Sequence, residues 1–284
     1  MTAIVVGNGF IGSAAARALA ETGRSVTVLG RRDGDLLVDL VRTGSEVVFA
    51  AGPSVPVSVE ADPSLGHEAL RLLRAVLDVV CAAPATLLLV SSGGAVYGEP
   101  DRLPIDESHP LRPVSEYGRL AVATEALVAT AVQRHGIAAT ALRCGNVYGP
   151  GQDATRRQGL VAVLLDAAAT GRPVDVWGDG SVARDYVHVD DVAAVVAACA
   201  GRPDLPIALN VGTGKATTVT RLLLLVEEVT GVSLDVRHRP GRLLDVSRGA
   251  LDIGRLCGLL PFEPVPLELG VARTWAEVTP RSLV

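Results

Sequence analysis

The apolar run Ala3–Val6, the turn Gly7-Asn8-Gly9-Phe10-Ile11-Gly12 and the stretch Ser13–Thr22 read in order as strand, glycine turn and helix. No other feature restricts the fold of this chain as strongly. A lone G-x-G-x-x-G match is weak, but between a strand and a helix it is specific. The glycines permit a tight turn and bring the backbone close to a pyrophosphate, whose charge then rests on a helix N-terminus. Gly7, Gly9, Phe10, Ile11 and Gly12 are therefore candidate dinucleotide-binding residues.

The same alternation continues downstream. Strands are expected at Ser25–Leu29, Glu46–Ala50, Thr86–Val90 and Ala138–Leu142, with helices over 65–82 and 117–134. Apolar, β-branched strands alternating with helices predict an α/β fold, a Rossmann-type doubly wound parallel sheet. The end of the second strand selects the cofactor: an acidic residue bonds the ribose of NAD, whereas arginine accommodates the 2′-phosphate of NADP. Here the chain reads Leu29-Gly30-Arg31-Arg32, with no carboxylate until Asp33. Arginine suits phosphate through its bidentate fork, so NADP(H) is favoured, with NAD(H) and merely solvated arginines as alternatives. Asp39, ahead of the third strand, is a candidate for the adenine or a plain surface aspartate. Ala51-Gly52, at the end of that strand, joins the cofactor set.

Length and charge narrow the function classes. At 284 residues, 49% hydrophobic and 20% charged, the chain is long enough for one large core or two interlocked lobes. Its net charge of −5, with arginines scattered in ones and twos, argues against nucleic-acid and anionic-membrane partners. The expected partner is a small-molecule substrate. Cys81, Cys144, Cys199 and Cys257 form no C-x-x-C pair, as in a reducing cytoplasm, and each reads as a small buried hydrophobe. The first residues show no positive export region, so a cytoplasmic location is expected. No metal-ligand pattern stands out.

Further motifs carry a family likeness. Ser91-Ser92-Gly93-Gly94-Ala95-Val96-Tyr97-Gly98 is followed by Tyr117-Gly118 with Glu125 eight residues beyond the tyrosine. Arg143-Cys144-Gly145-Asn146-Val147-Tyr148-Gly149-Pro150-Gly151 and Arg184-Asp185-Tyr186-Val187-His188-Val189-Asp190-Asp191 come next, then Asn210-Val211-Gly212-Thr213-Gly214 and Arg239-Pro240-Gly241. In this order they resemble the extended short-chain dehydrogenase/reductase family of nucleotide-sugar epimerases, dehydratases and reductases, over essentially the whole chain. The resemblance implies a dinucleotide-binding domain over 1–150, with 185–212 returning to it. It also implies a smaller C-terminal substrate-binding lobe from 151–184 and 213–284. Asn146, Arg184 and less directly Arg239 fall on positions that hold sugar or diphosphate, Gly93 and Gly94 border the substrate, and Cys144 falls on the cofactor side. Arg184 equally reads as the structural ion-pair partner of Asp185, and His188 as structural. The two long helices of this fold often pair into a homodimer.

The catalytic positions are altered. In the family a tyrosine donates a proton to the substrate oxygen, a serine or threonine bonds that oxygen, and a lysine lowers the tyrosine pKa and holds the nicotinamide ribose. Tyr117 matches the tyrosine, but Ala121 stands in the lysine position one helical turn away, and the only lysine of the chain is Lys215. A cation about 4 Å away would supply roughly 4 kcal/mol at an effective dielectric of 20. A general preference for arginine over lysine would place an arginine at this position, not an alanine. The serine position falls on Gly93, leaving Ser91 and Ser92 as hydroxyls able to swing toward the substrate or to bond backbone at a strand end. The expected activity is an NADPH-dependent ketoreductase acting one way on a biosynthetic small molecule, for instance an aromatic or polyketide ketone. A nucleotide-sugar 4-epimerase or 4-ketoreductase is the alternative, and a cofactor-binding regulator without catalysis is the third.

Overall fold

The computed structural model describes residues 1–52, 64–156, 159–241 and 246–278. Strands β1 (Thr2–Val6), β2 (Ser25–Leu29), β3 (Glu46–Phe49), β4 (Thr86–Ser92), β5 (Ala138–Cys144) and, later in the chain, Ala208–Val211 form a six-stranded sheet. Its order is β2-β1-β3-β4-β5 followed by Ala208–Val211, and every pairing is parallel. β4 and β5 each run two residues beyond the expected apolar core, which carries Ser92 and Cys144 to the same edge of the sheet, where they are paired in register.

The two-residue period of a strand explains how the sheet holds two layers of helices. Ile4 and Val6 of β1 face one way and pack with Val47, Phe49, Leu87 and Leu89 against helices α2 (Ser64–Ala82) and α3 (Glu116–His135). Ala3 and Val5 face the other way and pack with Val48, Leu88 and Leu142. That layer is closed by α1 (Phe10–Glu21) and by α5 (Val189–Cys199), which follows α4 (Leu160–Thr170) in the chain.

A third apolar cluster lies beyond the main sheet. It joins α4, Val174 and Val176 of β7 (Val174–Trp177), and helices α6 (Val219–Thr230) and α7 (Leu267–Val278). Strand β6 (Asn146–Tyr148) pairs in parallel with β8 (Ala183–His188), whose other side takes β10 (Ala216–Thr218) in antiparallel fashion; β9 is the sheet strand Ala208–Val211. β7 pairs with β11 (Val236–Arg239). Among the described residues no helix is long and apolar enough to cross a membrane.

The position of the site follows from the strand order. β1 lies between β2 and β3, so the connection leaving β1 goes to one side and the next connection returns past it to the other. In an open parallel sheet this leaves a crevice at the carboxyl end of the strand where the order reverses. That end of β1 is the glycine turn.

Candidate active site

The three glycines of the first turn do different work. Gly7 has φ +120°, and a Cβ there would lie 2.6 Å from the carbonyl carbon of Ala50. A Cβ on Gly12 would lie 1.9 Å from the Gly7 carbonyl oxygen, so this position admits no side chain at all. Gly9 faces open space, with nothing within 4 Å of a built Cβ, and it caps α1 with no side-chain hydrogen bond. The first turn of α1 holds no acidic residue. Its first backbone N–H groups therefore stand free of intrahelical partners beside an open approach, which is the geometry an anionic pyrophosphate requires. Phe10 and Ile11 are candidates through that backbone alone. Their half-buried side chains turn inward, Phe10 against Ala14, Val189 and Ala193 and Ile11 against the second core layer.

At the end of β2 the chain folds back on itself. The Asp33 carboxylate accepts the Gly30 N–H at 2.7 Å, so an acidic group does reach the strand terminus. Arg31 donates to the Gly52 carbonyl at 2.7 Å and spans the crevice from β2 to the segment after β3, where Ala51 is buried. Arg32 is exposed and makes no hydrogen bond or ion pair among the described residues. Asp39 is exposed on the helical turn Leu37–Leu40.

Tyr117 is half-buried in the first turn of α3, whose N-cap Ser115 accepts the Gly118 N–H at 3.1 Å. Burial raises the Tyr117 phenol above its ordinary pKa, hydrogen bonding with the Ser92 side chain pulls it back, and the Cys144 thiol raises it further. Cys144 is itself buried, with its thiol pushed up to about 12 by desolvation. Among the described residues no cation acts on the tyrosine. Ala121 is buried on the same helix, in an apolar cluster with Val96, Tyr97, Ile105 and Leu251, so the lysine position is closed by hydrocarbon.

The two candidate serines separate. Ser91 is buried and donates to Glu125 Oε1 at 2.5 Å, which removes it from the catalytic set expected on sequence. Adjacent strand residues point to opposite faces, and Ser92 is the one that reaches Tyr117. Of the three expected groups, the structure thus leaves Tyr117 with Ser92 as the hydroxyl that acts on its pKa.

Gly93, Gly94, Asn146 and Arg184 line one pocket, which encloses about 320 Å³ including space open to solvent. Crowding explains the glycines: a Cβ on Gly94 would lie 2.9 Å from Asn146 Oδ1, and one on Gly93 would lie 2.7 Å from Leu251 Cδ1. Arg239 lies elsewhere; it pairs with Asp175 at 2.9 Å across β11 and β7 and is absent from the pocket lining.

The model of the NAD dependent epimerase/dehydratase family matches residues 3–212. The chain belongs to that family. A UDP-glucose 4-epimerase of Mycolicibacterium smegmatis is 33% identical over 85% of this chain and 79% of its own length. The dTDP-6-deoxy-L-talose 4-dehydrogenase (NAD(P)(+)) of Kitasatospora kifunensis is 36% identical over 60% of this chain and 54% of its own. Among solved structures, the UDP-glucose 4-epimerase of Thermus thermophilus in complex with NAD is 31% identical, covers 98% of both chains and superposes with a TM-score of 0.89.

Within this member of the epimerase/dehydratase family, two residues shape the site in ways the motifs did not indicate. Asp185 does not serve as the ion-pair partner of its neighbour. Its Oδ1 accepts the Thr213 N–H and hydroxyl at 2.8 and 2.7 Å, and its Oδ2 accepts the N–H groups of Gly214 and Leu251 at 3.1 Å each. Arg184 Nη1 donates to the Ala183 carbonyl at 3.1 Å. Arg248, exposed beside the pocket, carries no sequence signal because it lies in no motif; it is positioned by an isolated bridge to Ala183.

Behind the site runs a buried polar network. Arg143 forms a bidentate pair with Glu125, with its closest contact at 2.7 Å, and also donates to the Tyr97 hydroxyl at 3.0 Å. Tyr97 donates to Asn210 Oδ1 at 2.7 Å. Tyr97, Glu125, Arg143 and Asn210 all lie in the motifs that carry the family likeness, but nothing in those motifs says that they bond to one another.

Proposed function

We propose that the chain is a nucleotide-sugar reductase, transferring a hydride from a nicotinamide cofactor to a carbonyl on the sugar ring. One observation supports this reading: among the described residues the Ser92 hydroxyl and no cation acts to lower the Tyr117 pKa, so the phenol is built to give a proton and poorly built to take one. A phenol whose pKa is raised stays protonated through the neutral range. Reduction needs only that acid. Epimerisation needs the same group to act as base in one half-reaction and as acid in the other, and a raised pKa penalises the first.

The glycine turn and bare helix terminus of α1 fit the pyrophosphate of a dinucleotide, which when bound would supply the hydride. Gly9 and the first N–H groups of α1 would hold the diphosphate, and Arg31 and Arg32 would face a 2′-phosphate. NADP(H) remains the proposed preference, with Asp33 shaping the turn that carries the arginines. As the carbonyl carbon gains hydride, its oxygen gains the Tyr117 proton; Ser92 would hydrogen-bond the tyrosine oxygen, and the tyrosinate would regain its proton from solvent once the product leaves. Asn146 would orient the sugar, while Arg184 and Arg248 supply the positive charge a diphosphate needs. The relatives support a nucleotide-sugar substrate. Among the described residues the pocket lining offers no aromatic side chain for a flat polyketide.

The test is to offer the purified protein NADPH or NADH with a dTDP-4-keto-6-deoxyhexose, and separately UDP-glucose. Stoichiometric oxidation of the cofactor by the keto sugar, with no UDP-galactose formed, is the expected result. Epimerisation of UDP-glucose at a comparable rate would establish the epimerase instead. Cofactor binding without any turnover would point to a regulator.

A further inference from the structure

The pocket has two chemically different walls. One carries Asn146, Arg184, Arg248 and the Asp185 carboxylate, whose oxygens are already engaged by Thr213, Gly214 and Leu251; the other is Leu251 and Ile105, both 2% exposed, with half-buried Val246 beside them. The apolar wall lies at the reacting end, because Leu251 stands directly against Gly93, the residue after Ser92. A Cβ at Gly93 would come within 2.7 Å of Leu251 Cδ1 and 3.1 Å of Cδ2. Leu251 also belongs to the cluster that encloses Ala121.

The backbone of that wall is already engaged. Ile105 N–H donates to the Ala250 carbonyl at 2.8 Å, and the Ile105 carbonyl accepts the Asp252 N–H at 2.8 Å and the Asn210 amide at 2.8 Å. The Leu251 N–H is held by Asp185. A hydroxyl brought against this wall finds hydrocarbon and engaged backbone groups, and it would be buried without a partner there.

Resting on the nucleotide-sugar reading, we infer that Leu251 is a specificity-determining residue: with Ile105 it makes the reacting end of the pocket accept a sugar ring that ends in a methyl group and disfavour one that ends in a hydroxymethyl group. The substrate class is then a 6-deoxyhexose nucleotide. An apolar site discriminates only moderately against an added hydroxyl, on the order of 10- to 100-fold. Asp185 makes the discrimination durable by fixing the Leu251 backbone, so the side chain cannot retreat without breaking that bond.

Calorimetric titration of the cofactor-loaded protein with dTDP-fucose and dTDP-galactose tests this without any turnover, since the two ligands differ only in the C6 oxygen. The wild type should bind the 6-deoxy ligand about tenfold or more tightly. Leu251→Thr, which offers a hydroxyl at the wall, should narrow the ratio to within about threefold, and Leu251→Met should preserve it. Leu251→Ala, which opens space for a water, should also narrow it and serves if the threonine variant does not fold. Equal binding of both ligands by the wild type, or a ratio unmoved by threonine and alanine, overturns the assignment and leaves the nucleotide-sugar reading intact. Binding of neither ligand overturns both.

Discussion

At Tyr117 the phenol is lifted by burial and only partly lowered by Ser92, so its acid form persists to higher pH than that of a free tyrosine. Proton donation requires that form, so kcat/KM for reduction should be flat from about pH 6 to 9 and fall only as the pH rises above the ordinary tyrosine value of ~10. An activity that falls below pH 9 would mean another group is the donor. Tyr117→Phe should lower kcat by about 100-fold or more with cofactor affinity unchanged, in line with the usual contribution of a general acid. Ser92→Ala and Ser91→Ala should part company: the first lowers kcat, while the second leaves Glu125 short of a donor and mainly lowers Tm. Ala121→Lys is expected to lower Tm by several degrees, because it drives an ammonium into the cluster around Tyr97 and Leu251. The alanine was legible in the sequence as a departure. That hydrocarbon packs the position was not, since Ile105 and Leu251 arrive from far along the chain.

Element by element, the fold separates sites of packing from sites of binding. In α1, Gly12→Ala should prevent native folding of the turn, as its Cβ would overlap the Gly7 carbonyl. Gly9→Ala should leave the Tm of the cofactor-free protein within about a degree and weaken dinucleotide binding about tenfold or more, measured by fluorescence titration. Glu125 of α3 and Arg143 of β5 form a pair in which each side chain is 8% exposed, so removing one partner strands the other. Glu125→Ala should cost about 3–5 kcal/mol of stability. In α5, His188 is the N-cap and its Nδ1 accepts the Asp190 N–H at 3.3 Å. Burial lowers the His188 pKa below 6.5, with Arg273 adding to this and the Asp190 and Glu277 carboxylates opposing it. The unfolded chain then takes up a proton first, so the stability present above pH 6.5 is lost as the pH falls through the folded value. Tm should drop below about pH 6.5, and His188→Asn, which keeps an acceptor at the cap, should flatten that drop. The glycine turn and the strand periodicity made α1 and the sheet readable from local sequence alone. The fold-back of Asp33 onto Gly30, and the choice of Glu125 as the partner of Ser91, depend on three-dimensional register that no local pattern encodes.

Across the molecule, a parallel sheet with both faces covered places the glycine turn and the start of α3 at one edge, and Arg184 of β8 and Arg248, bridged to Ala183, line one pocket with Gly93. Motif order made that architecture legible. The pocket was less so, because it is closed by residues 246–252, a stretch with no motif, seated between Ala183 and Ile105. One carboxylate governs that closure: Asp185 gathers the amides of Thr213, Gly214 and Leu251. Three amides anchored on one carboxylate lose that anchor together when the carboxylate is displaced. In deuterated buffer they should therefore report one common opening free energy, lowered by the same amount for all three in Asp185→Asn, so that the pocket breathes as a unit and its solvent is admitted or shut out in a single event.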